Sequence, residues 1–208
     1  FSFDGSLLND RPPLVLEAVW RGHDPPLPLT VVAVHQRSLI GIDDPQDGQR
    51  VRRKRHEQAL WLAGWVQQRQ GERPDERLLV IGDFNAFEFT DGYVDVMGQV
   101  TGRPDPRGAL IPAVPLLDPP LTDWAASLPA AERYSYVWEG DAELLDHVLT
   151  SRAADPWVAT VAASRGNADA PEALDDDPAT AARSSDHDGL VLYLGPHVRR
   201  PEGRLPLP

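Results

Sequence analysis

Acids, imidazoles and an amide stand where apolar runs end in this 208-residue chain. His35 closes "VVAVH", and Asp83 and Asn85 follow "LLVIG". Asp146 and His147 lie within "LLDHVL", while Asp186 and His187 sit in "SSDHDG", just ahead of "GLVLYL". Each has an ordinary structural explanation. A histidine at a strand end is more often a partly exposed polar residue than a catalyst. Gly-Asp-x-Asn makes a good turn, because Asp and Asn bond their own backbone. Ser-Asp-His-Asp serves equally as a polar lead-in to a strand. Asp146 is harder to explain that way, since a carboxylate inside an apolar strand is costly unless something pairs with it.

Taken as a set, these residues suggest chemistry. If Asp146 accepts a hydrogen bond from His187, its burial is offset, and the imidazole gains a fixed tautomer and a raised pKa. Asp186 is then free to bind a hard divalent cation, which prefers oxygen ligands. Asp83 can hold a water as nucleophile, and Asn85 can donate to a phosphate oxygen. The combination is that of metal-assisted phosphodiester hydrolysis.

The elements that must position these groups are readable from hydrophobic period. "LVLEAVW" and "LTVVAVH" alternate as strands and form a hairpin across "RGHDPPLP". Residues 41–48 form a loop that resembles a calcium loop. Lys54 stands where its bidentate acid is needed, which excludes that reading. Residues 49–70 carry Ala59, Leu60, Leu62, Ala63 and Val66 at helical spacing, with Gly71 as a stop. Trp61 and Trp65, four apart, are expected in the core. "RLLVIGD" reads as a strand buried on both faces, followed by a short helix over Tyr93–Val100 and a long Pro- and Gly-rich loop over 101–120. "YSYVWEG" and "ELLDHVLTS" read as adjacent strands with "EGDAE" turning between them. Residues 164–185 suggest a mobile acidic surface loop, and "GLVLYLG" a final buried strand.

Bulk properties set limits. A hydrophobic content of 41% supports one sizeable core. The net charge of −12 supplies no general basic field to coat nucleic acid, although bound cations can reverse the field inside a cleft. The chain has no cysteine, which excludes disulfides and thiolate metal sites. No run approaches the roughly 20 apolar residues of a membrane span. The opening "FSFDGSLLNDRPP" is a polar loop, expected of a processed or excised piece of a longer protein.

The ordered set "VVAVH", "GDFN", "LDHVL" and "SDHD" resembles the C-terminal half of the endonuclease/exonuclease/phosphatase superfamily, which includes pancreatic deoxyribonuclease. "NDRPPL", "YSYVWEG" and the arginine-led helix resemble its bacterial extracellular nuclease branch. The resemblance runs from about Asn9 to Leu194. It implies an α/β fold in which residues 1–208 are the C-terminal portion of one DNase I-like domain, a four-layer αββα sandwich. His35 would be the phosphate-side histidine. Asp83 would orient or deprotonate the attacking water, Asn85 would contact the phosphate, Asp146 would orient His187, and Asp186 would lie near the metal. The cofactor implied is Mg2+, or Mn2+ or Ca2+, and the setting is extracellular or periplasmic. The family's first half carries an asparagine and a metal-binding glutamate that have no counterpart here. The resemblance therefore implies an N-terminal half, supplied from upstream, that completes the site.

The run "RVRRKRH" concentrates positive charge at a helix start, where it opposes the helix dipole. It is either a solvated face or a grip on a nucleic-acid backbone through Arg50, Arg52, Arg53 and Arg55. The substrate class follows as DNA, with RNA, a phospholipid or an inositol phosphate as alternatives. A non-catalytic half that serves as a binding or assembly module is the rival from outside enzymology.

Overall fold

A computed structural model describes residues 2–175 and 177–195. Its strands are β1 (Leu14–Trp20), β2 (Leu27–His35), β3 (Leu78–Asp83), β4 (Thr122–Asp123), β5 (Tyr136–Trp138), β6 (Asp141–Glu143), β7 (Asp146–Thr150), β8 (Val158–Ser164) and β9 (Gly189–Leu194). The helices are α1 (Gly48–Glu72) and α2 (Val96–Thr101). The central sheet runs β1-β2-β3-β7-β4, parallel between β2 and β3 and antiparallel elsewhere.

The β2–β3 crossover is α1, which covers one face of the sheet. Val32, Val34, Leu78, Val80 and Leu149 pack there against Ala59, Leu62 and Val66, with Met97 and Val100 of α2 beside them. The helix passes through Gly71 and ends at Glu72. Pro74 explains the difference, because a residue before proline is driven out of the helical region. Arg73 accordingly sits at φ −138°, ψ 70°. The second helix begins at Val96, not at Tyr93, because the Asp95 side chain caps it by accepting from the Gly98 N–H.

Strand formation departs from expectation at "ELLDHVLTS". Its first residue, Glu143, ends the small β5–β6 hairpin, and only Asp146–Thr150 joins the central sheet, beside β3. The break falls at Leu144 and Leu145, both buried, where the Leu145 and Asp146 N–H groups donate to Ser135 Oγ. The final strand also differs. It pairs with β8 in a two-stranded sheet, with Val191 and Tyr193 exposed at 40% and 52%, because no layer covers that side among the described residues. Trp65 packs on the core as expected, but Trp61 is exposed.

The layers are therefore helices, central sheet and, where β9 meets β7, the small β8–β9 sheet. Register places Leu14 and Leu16 opposite Ala33 and Val31, on the face away from α1. Both are exposed, at 69% and 56%. The fold is mixed α/β, and a fourth layer is not present among the described residues. No described helix is long and apolar enough to cross a membrane.

Candidate active site

Strand pairing brings the site together. His35 ends β2, Asp83 ends β3 and Asp146 begins β7, and these three positions are consecutive partners across the sheet. Such an approach requires Gly82. Its φ is +129°, and a Cβ there would lie 2.2 Å from the Val34 carbonyl oxygen. Two residues on, Asn85 adopts φ +49°, a left-handed conformation that Asn tolerates better than most residues. The turn is closed by the Asn85 N–H and Nδ2, which donate to Asp83 Oδ1 and Oδ2 at 2.7 and 2.8 Å. The amide also donates to the Gln36 carbonyl at 3.1 Å.

The expected dyad forms: His187 Nδ1 donates to Asp146 Oδ2 at 2.7 Å. Burial pushes the imidazole toward neutrality, but the hydrogen bond and charge of Asp146 outweigh it, and its pKa is raised. The Asp83 carboxyl is also raised, first by burial and then by the neighbouring Asp146 charge. His35 Nε2 stands 3.3 Å from Asp83 Oδ2. Asp83, disposed to take a proton, thus shares the neighbourhood of Asp146 with the His187 imidazole, disposed to stay charged.

These residues line one cleft of about 960 Å3, with His35, Asp83, Asn85, Asp146, Asp186 and His187 all on its wall. One group of donors, among the described residues, is close enough to share a cation: ligand atoms of Asp83, Asp146 and His187 all lie within 4.8 Å of one another. Asp186 is exposed on the same wall and is not part of that group.

No protein-family model and no curated protein matches the chain. Among solved structures it is similar to a 3′ phosphatase, NExo, from Neisseria, bound to a product DNA hairpin. It is also similar to a 3′–5′ exonuclease, NExo, from Neisseria meningitidis. Identity is 18% to each, over 88% and 89% of this chain and 72% and 71% of those, with a TM-score of 0.48. At that identity and score, no residue's role is taken from either.

The basic run lies elsewhere. Arg55 is 2% exposed, donating to the carbonyls of Arg37 and Asn85 and to Asp91. It props the left-handed turn at Asn85 and has no surface to offer a phosphate. Arg50 is bound to Asp47 and Arg53 to Glu57, while Arg52 donates to the Ile42 carbonyl and lies over Tyr93. None of the four lines the cleft. The cations that do are Arg11, in contact with His35, and Arg37. Neither is marked in the sequence by spacing or by a charge run.

Three supporting residues carry no role in the sequence alone, although His147 stands beside Asp146 there. Asp188 is fully buried and accepts from Arg165 Nη1 and from the Asn167 and Ala168 N–H groups. It anchors the segment expected to be a mobile loop over 164–185, of which residue 176 lies outside the described residues. His147, next to Asp146, points to the opposite side of β7, toward Asp123 and Ala86.

Ser135 is the third. Fully buried, its hydroxyl accepts from the N–H groups of Leu145 and Asp146 and so fixes where Asp146 starts its strand. Ser135→Ala should cost about 1–3 kcal/mol through two unsatisfied buried donors. Denaturant unfolding checks this, and an unchanged midpoint would remove Ser135 from the support of Asp146.

Proposed function

We propose that this cleft hydrolyses phosphodiester bonds of nucleic acid, DNA foremost and RNA as well, with a divalent cation, Mg2+ or Mn2+ (Ca2+ less so). The observation that carries the proposal is the meeting of the Asp83–Asn85 turn with the Asp146–His187 pair at adjacent strand ends in one cleft. In this reading Asp83 takes a proton from the attacking water as its oxygen bonds to phosphorus. The ester bond to the leaving oxygen breaks as the new one forms, and the released alkoxide takes a proton from solvent water. His187, held charged by Asp146, meets the negative charge that gathers on the phosphate oxygens. His35 and Arg11 face the same phosphate, and Asn85 turns to it once substrate competes for its amide.

The donor set fits a hard cation. Carboxylates of Asp83, Glu143, Asp146 and Asp186 outnumber the arginines on a wall that must accept an anion. Asp146 and Asp186 would hold the ion, which would neutralise charge and orient the phosphate when bound, leaving Asp83 to the water. A glutamate from an N-terminal half would complete the set, and strands of that half would cover Leu14 and Leu16. By the same resemblance the setting is extracellular or periplasmic.

A second reading has an observation of its own. The cleft wall includes Leu39 and Ile40, the latter 78% exposed, a rim suited to a phospholipid or inositol phosphate headgroup.

One experiment addresses these points. The chain, with and without its upstream sequence, is given supercoiled plasmid and anionic phospholipid vesicles in Mg2+ or Mn2+, with EDTA as control. Metal-dependent nicking is expected, with the chain self-associating when expressed by itself. No hydrolysis from either preparation would overturn the enzyme reading in favour of a binding module. A fully active monomer would overturn the half-domain.

A further inference from the structure

The β5–β6 hairpin adds something to the cleft that the hydrolytic groups do not use. Alternation along β5 puts Tyr136 and Trp138 on one face, and both line the cleft, with Glu143 across from Tyr136. Their rings are nearly parallel, 18° apart with centroids at 6.4 Å. Tyr136 in turn lies 4.7 Å from the His187 ring, tilted by 31°. The result is a short aromatic ladder, His187–Tyr136–Trp138, that starts at the place argued for the phosphate and climbs one wall of the cleft. Trp138 is 56% exposed, so a large flat face meets water instead of the core.

An exposed tryptophan placed this way is costly in water unless it is used. A planar ring stacked in line with a phosphate site fits a ligand that has a flat π-face close to its phosphate. A nucleoside has one, and an acyl chain does not. A base inside a duplex has both faces covered by its neighbours, so only an unpaired base can reach the ladder without first being unstacked.

We propose that Tyr136 and Trp138 stack an unpaired nucleobase next to the scissile phosphate, so that the preferred substrate is a single strand or a frayed end. This rests on the nucleic-acid reading of the cleft and names its substrate class. The stacked base sets which phosphodiester reaches His187 and Asp83. Charge contributes little selectivity here, since the acids of the wall repel all backbones alike.

The test separates stacking from hydrolysis. In EDTA, the full chain is titrated with a dye-labelled short single strand and with the same strand made abasic, and anisotropy is read. Wild type should bind the base-bearing strand roughly 10- to 100-fold more tightly, and Trp138→Ala should lose that preference while Trp138→Phe largely keeps it. With metal, the ratio of kcat/KM for the single strand over the same sequence in a long duplex should fall in Trp138→Ala by a similar factor. Equal binding of the two strands by wild type overturns the stacking proposal, even if both are cleaved. So does capture of the chain by anionic phospholipid vesicles that depends on Trp138. Base-dependent binding without any cleavage would support the ladder and count against the hydrolase reading instead.

Discussion

Replacing Asp83 by Asn should lower phosphodiester cleavage roughly 10²- to 10⁴-fold while leaving the fold as stable as before, or slightly more so. The two halves of that expectation have one cause. Burial and the adjacent Asp146 charge raise the Asp83 pKa above its ordinary 3.8. For an acid raised in this way the folded state disfavours the carboxylate. The penalty is absent below 3.8, grows as pH rises from there toward the folded pKa, and is complete above it. Asn removes that penalty and keeps one of the two hydrogen bonds from Asn85 on its single oxygen, so the loss of the other is offset by the relief of the buried charge. It has no basic oxygen to take the proton of water, so the chemical step fails. Activity of the wild type should rise with pH as Asp83 ionises and fall again as His187 loses its proton. The acid limb should vanish from whatever activity Asp83→Asn retains. The measurements are kcat against pH and a melting temperature for each protein. Loss of activity accompanied by a large fall in melting temperature would falsify the role of Asp83 as base and make it a structural residue.

The strands differ in how much of their placement the sequence alone discloses. The hairpin of β1 and β2, the long crossover helix and the apolar β3 carry strong periodic signals; β2 and the helix bury one stripe and β3 is the most buried, whereas β1 has no buried residue. The ends of those strands are where the polar residues were expected to gather, and that is where the cleft lies. What failed was pairing that depends on contacts remote in sequence. Nothing in "ELLDHVLTS" shows that a serine ten residues before Leu145 will capture two backbone N–H groups and divide the run between two sheets. The charge run failed for a related reason. A guanidinium at Arg55 looks free in sequence, but a carboxylate and two carbonyls from distant segments enclose it. Likewise "SSDHDG" holds a cleft-facing Asp186, a cleft-facing His187 and a fully buried Asp188, a division that the string does not announce.

His147 should prove the most costly side chain to remove from the framework of the site. Its Nδ1 donates to Asp123 Oδ2 and its Nε2 donates to the Ala86 carbonyl, each at 2.8 Å. Neither partner can donate, so both ring nitrogens carry hydrogen and the buried ring is an imidazolium. Burial alone would lower its pKa, but the charge and hydrogen bond of Asp123, with the Ala86 carbonyl, raise it above the ordinary 6.5. The Phe84 ring meets it edge-on at 5.7 Å. The pair joins β4 to β7 and to the residue after Asn85, so it holds the Asp83–Asn85 turn from behind. His147→Leu leaves the Asp123 carboxylate and a carbonyl without their donor. Breaking a buried pair in this way costs about 3–5 kcal/mol, a large part of the stability of an ordinary domain. The pH dependence has the same sign as that of Asp83, because both pKa values are raised on folding, but here what changes with pH is a stabilisation instead of a penalty. A base whose folded pKa is raised contributes its full stabilisation below 6.5 and loses it as pH rises through the folded value. The stability gap between wild type and His147→Leu should therefore be widest in mild acid and shrink toward alkaline pH. Denaturant unfolding of both proteins across that range gives the gap directly. A gap that stays constant, or widens with pH, would mean that the buried ring is neutral, and that one of its two contacts is not a hydrogen bond.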